Sequence, residues 1–416
     1  MADKYSYAGV SSLSRFLNNL YGIFAEKEHT HTHADITDHE DCEAIPNDKI
    51  DEICPDARVY GVTWTVGANS ALTRTDAAAA FEAPVPSVGG SAGSSPFDSL
   101  MPWSGMQIVE DDTAGTLVSI PKFWYRVAHT GTEITLQIAD AAMSGFAVSP
   151  AHADRGDGKG ERDVVYIGRY KCAGNQGQSI SGEAPIVNIT RPAFRSAFAE
   201  LAGDGYSMQD YAMFWTTRML MLVEYANWDL QSAIGYNCGN GESAENTGAS
   251  DAMPYHTGTI QASLDTYGVG VQYRYIEDPW GNVAEWVDGW RAEATEDESA
   301  MNIYVITNPA EFSDDTGGVL VGSIPMEVAQ AGGMISNWTV PTVEGYSWAM
   351  FPSAIEMDNI TTGFNEFCAD VCGFVGPALS VGGAYNPAPS YGAFFMLASP
   401  AEASYGDVGA RLQKIP

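Results

Sequence analysis

"DPWGNVAEWVDGW", Asp278 to Trp290, sets three tryptophans among small and short residues. Trp280, Trp286 and Trp290 are too bulky and too regularly flanked by small neighbours for a casual surface, so the stretch reads as a set of core anchors. Asn282 is suited to hydrogen-bonding loop backbone, and Glu285 is expected to pair with Arg411 near the end of the chain. A buried pair of that kind fixes loop geometry more than it adds stability. Around it, from the end of one helix down to Pro416, Gly, Asn, Asp and Trp dominate. That composition suits short strands and long loops held by aromatic anchors.

Downstream, "GGAY" (Gly382–Tyr385) and "GARL" (Gly409–Leu412) look like fixed punctuation, while the residues between them have neither helical nor strand period. Upstream, "DVVYIGRYKC" (Asp163–Cys172) reads as a strand. "SMQDYAMFWTTRMLMLVEYANW" reads as a helix through Tyr211, Phe214, Trp215, Met219, Leu222 and Val223. Before that, "VYGVTWTV", "TLVSIPKFWYRV" and "EITLQIA" are β-branched and aromatic runs, and "APVPSVGGSAGSSPF" is a low-complexity loop. They define a small β-rich region over 57–150, after an acidic linker at 41–56 and ahead of a larger domain over 151–416.

At the N-terminus Leu13, Phe16, Leu17, Leu20 and Phe24 recur at helical spacing and leave one apolar stripe. So short a helix needs a partner surface, which makes self-association the expectation for residues 1–40. "HTHTH" follows, and in an extended chain His29, His31 and His33 share one face. Three copies about a symmetry axis would supply an octahedral transition-metal site; an exposed polar neck without metal is the other reading.

The 416 residues carry 20 Lys and Arg against 53 Asp and Glu, a formal net charge of −33. Nucleic acid and anionic lipid are therefore repelled over most of the surface. With 45% hydrophobic and 11% aromatic residues the chain is too apolar for disorder. No signal peptide is expected, since "MADKYSYAGV" has no basic segment followed by an apolar run, and no membrane span, because the most apolar stretch is interrupted by Arg218 and Glu224. Six scattered cysteines show no CxxC pair, which suits reduced, buried thiols. "GDGKGERD" and "GNGESAENTG" lack the Lys-Ser/Thr of a phosphate loop. Asp154, Asp157, Glu161 and Asp163 suit either a solvated turn or a hard cation. HExxH is absent, and a hidden triad would have to draw on His129, His152 or His256.

Taken in order, "DVVYIGRYKC", "DPWGNVAEWVDGW", "GGAY" and "GARL" resemble the elements of the formylglycine-generating, sulfatase-modifying family over about 163–416. The fold this resemblance implies is α+β and C-type-lectin-like, preceded here by the β-rich region and an N-terminal trimerising helix. Trp280, Asn282, Glu285, Trp286, Gly383 and Arg411 would be its structural anchors. That family's oxidase chemistry needs a cysteine pair shortly before the last Gly-x-Arg element, and no residue from Gly373 to Pro416 is cysteine. The histidines of the related iron-dependent sulfoxide synthases are missing as well. An oxidase is therefore the disfavoured alternative, and a purely structural virion protein is another.

The departure points instead to phage receptor-binding proteins similar to the major tropism determinant and other targets of diversity-generating retroelements. "HTHT…ITD" likewise resembles a junction found in bacteriophage tail fibres. What these resemblances imply is a non-enzymatic tail fibre protein, made in the host cytoplasm and carried in the virion as a homotrimer among other tail proteins. It would bind a host cell-surface receptor, glycan or protein, with no nucleic-acid partner and no membrane insertion. The variable segment would be 384–408, with Ala384, Tyr385, Asn386, Pro387, Ala388, Pro389, Ser390, Tyr391, Phe394, Ser399, Ala401 and Ser404 facing the ligand. No cofactor is required, and the histidine neck is the candidate metal site.

Overall fold

A computed structural model describes residues 58–65, 72–174, 177–199, 205–237, 243–331, 333–356, 367–368, 376–385 and 392–416. The expected N-terminal helix, the linker and the histidine neck lie outside these residues. The α+β class is corrected by what is seen: among the described residues 24 strands form five sheets, against four α-helices. The physical reason is non-local pairing. Many strands span only two to four residues, too short to show a period, and form because partners elsewhere in the chain complete their ladders.

The helices are α1 (Arg191–Ala199), α2 (Tyr211–Tyr225), α3 (Leu230–Ile234) and α4 (Met326–Ala331). Every residue of α2 is buried, which is the meaning of a helix that is apolar all round. Asp210 caps it by accepting the Met213 N–H at 2.9 Å, and Ala226, in left-handed conformation at φ 50°, ends it. Arg218 leaves the helix sideways, and its Nε and Nη2 donate to the carbonyls of Ala393 and Pro279, both at 2.8 Å.

One five-stranded sheet joins the strand Gly115–Pro121 to Val164–Gly168, then to Leu412–Lys414 and Tyr206–Met208. Another pairs Ser87–Val88 with Gly258–Thr259. The same hydrophobic cluster runs from Tyr60 and Trp103 through α2 to Phe394 and Ile415. Packing is therefore continuous across residue 150. A seven-stranded sheet carries the end of the chain: Ala284–Val287 lies between Ala378–Val381, antiparallel, and Val408–Ala410, parallel. Among the described residues no helix is long and apolar enough to cross a membrane.

Candidate functional site

The strand Ala284–Val287 is the axis of the site. Trp280, Trp286 and Trp290 are fully buried around it, and the Trp286 indole N–H donates to the Ile189 carbonyl at 3.0 Å. Arg411 crosses behind the strand. Its Nε and Nη2 donate to Glu285 Oε1 at 3.0 and 2.8 Å, and its remaining hydrogens go to the carbonyls of Gly168, Arg169, Glu277 and Asp278. Lys171 Nζ donates to the same carboxylate oxygen at 2.7 Å. Burial would raise the Glu285 carboxyl, but Arg411 and Lys171 hold it down at about 2. Burial also presses Lys171 down, with Glu285 opposing. Together these side chains tie the backbone at 168–169 and 277–278 to the strand that carries Glu285 and hold them in one arrangement.

Two neighbouring carboxylates complete the frame. Asp278 Oδ1 accepts from Asn237 Nδ2 (2.8 Å) and the Gly270 N–H (3.0 Å), and its Oδ2 accepts from Asn282 Nδ2 (2.9 Å). Asn282 also exchanges hydrogen bonds with the backbone of Glu245. Glu277 accepts from the N–H groups of Gly248 and Ser250 and from the Ser250 hydroxyl. Burial, and then the adjacent Asp278 charge, push the Glu277 carboxyl up to about 7.

From this frame the C-terminal segment leaves and returns. Gly382, at φ 82°, lies so close to Trp280 that an added Cβ would come within 3.3 Å of the Trp280 Cα. Its N–H donates to Phe395 O at 3.2 Å, and its carbonyl accepts the Gly281 N–H at 2.6 Å. At the return the Ala284 N–H donates to Asp407 O at 2.8 Å, and Val408 pairs with Ala284.

Between these ends the expected ligand-facing residues separate. Phe394 is wholly buried, with its ring 4.9 Å from Trp228, 5.8 Å from Trp338 and 6.1 Å from Trp215. Its expected exposure is corrected: it is core, because three indoles surround it. Ala384 and Ser399 are buried too, the latter in the strand Met396–Ser399 paired with Ala378–Val381. Gly383 is buried, while Tyr385 and Ala401 are half-buried. Ser404 is exposed, together with Glu402, Tyr405 and Gly406 on the turn 400–407. Asn386, Pro387, Ala388, Pro389, Ser390 and Tyr391 lie outside the described residues, as do His29, His31 and His33.

Sequence reasoning missed Asn188 as a neighbour of this turn. The Asn188 N–H donates to Tyr405 O at 2.9 Å, and residue 188 stands at φ 60°. Nothing in "APIVNIT" announces a loop meeting residues more than two hundred positions later.

Other chemistry is accounted for by structure. His152 is fully buried: its Nε2 meets the Ile120 carbonyl at 2.9 Å, its Nδ1 meets Ser149 Oγ, and burial presses it down to about 4. His256 lies between Asp98 Oδ1 (2.9 Å) and Thr257 Oγ1 (2.8 Å), but Thr257 is wholly buried. Cys172 is buried, which pushes its thiol far up. In the Gly-rich acidic loop Asp157 pairs with Arg162 and Asp163 with Lys122. A cleft of about 450 Å³ opens beside α1, floored by Phe198, Met208, Phe312 and Ile415. Arg195 on its wall is held by Asp288 and Asp314.

No family model matches the chain, and no curated protein matches it. Among solved structures it is similar to Treponema denticola variable protein 1, at 12% identity over 74% of this chain and 99% of that one, with a TM-score of 0.28.

Proposed function

We propose that this chain is an adhesion protein that presents the turn 400–407 to a ligand on a host cell surface, without catalysis. The observation that supports it is the contrast within one segment. Both ends are fixed to the frame of Glu285, Arg411 and Trp280, while Glu402, Ser404, Tyr405 and Gly406 between them are exposed. A rigid base under Tyr, Ser and neighbouring polar groups is the arrangement of a paratope, where the ring adds contact area at small entropic cost. The setting we propose comes from the sequence: a phage tail fibre protein in the virion, trimeric through its N-terminal helix and histidine neck, and seated among other tail proteins. Several copies would raise avidity by about 10² to 10⁴ over a single site.

The experiment replaces Glu402, Ser404 and Tyr405 together by alanine in the full chain and measures adhesion to host cells beside the thermal midpoint. Adhesion should be lost while the midpoint moves little, since exposed substitutions usually shift stability by no more than about 0.5 kcal/mol. Undiminished adhesion by the folded triple variant would place the binding surface elsewhere.

A further inference from the structure

We infer that the displayed face takes a neutral saccharide, held between Tyr405 and Asn188; this rests on the adhesion function proposed above. Tyr405 leans on Trp286, with ring centroids 6.1 Å apart and planes at 36°, and remains 37% exposed. It is thus a ring supported from behind with a free side. Asn188 is exposed and held in the left-handed region at φ 60°, a conformation that glycine takes without strain. Its backbone N–H binds Tyr405 O, and a Cβ on Gly406 would stand 3.7 Å from its side-chain Oδ1. The asparagine therefore places a carboxamide beside Gly406, the residue next to Tyr405, on backbone that is itself tied to the Tyr405 carbonyl.

A pyranose has an apolar C–H face and an edge of hydroxyls. An aromatic ring takes the first, and a carboxamide, which both donates and accepts, takes the second. The Ser404 hydroxyl and the Glu402 carboxylate, exposed on the same turn, add further partners for hydroxyls. That carboxylate, on a chain of net charge −33, also repels sialylated or phosphorylated sugars. A protein partner would be expected to seat on a broader apolar centre. Among the described residues of the loops 181–190 and 400–407, Tyr405 is the one large hydrophobic side chain exposed.

The test passes the full-length protein over an immobilised array of neutral and anionic oligosaccharides and repeats it with Tyr405→Ala and Asn188→Gly. Glycine keeps the left-handed backbone, so the second variant removes only the carboxamide. Binding to neutral members is expected, weakened by roughly tenfold or more in each variant at an unchanged thermal midpoint. A wild-type protein that binds nothing on the array, that binds only anionic sugars, or that binds no better than both variants overturns the inference. The two levels separate on cells. Adhesion that survives periodate oxidation and is lost to protease removes the saccharide and leaves the adhesion function standing. Adhesion that the Glu402/Ser404/Tyr405 triple variant retains removes both.

Discussion

Phe394 and Tyr405 sit eleven positions apart in the same unpatterned segment and have opposite surroundings. Phe394→Ala should cost about 3 to 5 kcal/mol, because three packed indoles cannot collapse into the space it leaves. Urea unfolding measures it, and a loss below about 1 kcal/mol would show that the ring is not core. The distinction was half legible. "AFFML", Ala393 to Leu397, is a continuous apolar run of the kind that marks a buried strand, and the strand Met396–Ser399 lies in it. Surrounding Pro, Ser and Tyr drew attention to the segment as a whole and hid that run. Glu285 and Arg411 were legible because charged residues set among buried anchors need each other. Asn188 was not, since its meaning depends on a backbone angle and a distant carbonyl.

Among the elements, α2 was the one most plainly written in sequence, because its apolar residues run through every face. The strands in the first half were legible for the same local reason. "VYGVTWTV" and "EITLQIA" became Val59–Thr65 and Glu133–Ala139, paired in full register. In the second half Ala284–Val287 finds its partners more than ninety and more than a hundred and twenty positions onward, and no window of sequence contains that fact. What holds α2 at its start is testable. Asp210 both caps the helix and pairs with Arg155, whose side chain is 1% exposed. Asp210→Ala therefore removes a cap and strands a buried guanidinium, a loss of about 3 to 5 kcal/mol. Chemical denaturation checks it. A loss no larger than the cap alone, about 1 kcal/mol, would show that Arg155 finds another partner.

For the whole molecule, the carboxylates of Glu285 and Glu277 set opposite pH dependences. Glu285 is held at about 2 against an ordinary 4.5, so its contribution is present above 4.5 and is lost as pH falls through 2. Glu277 is raised to about 7 against the same 4.5, so its contribution is present below 4.5 and is lost as pH rises through 7. Asp278 is raised as well, and self-repulsion at net charge −33 grows in the same direction. His152 is pressed down to about 4 against an ordinary 6.5, so it contributes an opposite rise over much of that interval. The Glu277 effect is therefore read as a difference: the wild-type midpoint should fall relative to that of Glu277→Gln between about pH 4.5 and 7, and paired melting curves between about pH 4 and 8 decide it. A difference that stays constant or moves the other way would mean that Glu277 is not held in its protonated form.

The six hydrogen bonds of Arg411 have one more consequence, for the order of events at the ribosome. The residues it clamps, from Gly168 to Glu285, are made long before it is. Until residue 411 has emerged, Glu285 and Lys171 face each other without their third member, and Val164–Gly168 lacks Leu412–Lys414 beside it. Folding that proceeds from the N-terminus during synthesis cannot close this frame early. A chain broken off anywhere in the turn 400–407 leaves an open sheet for proteases, so this protein should accumulate only from completed messages.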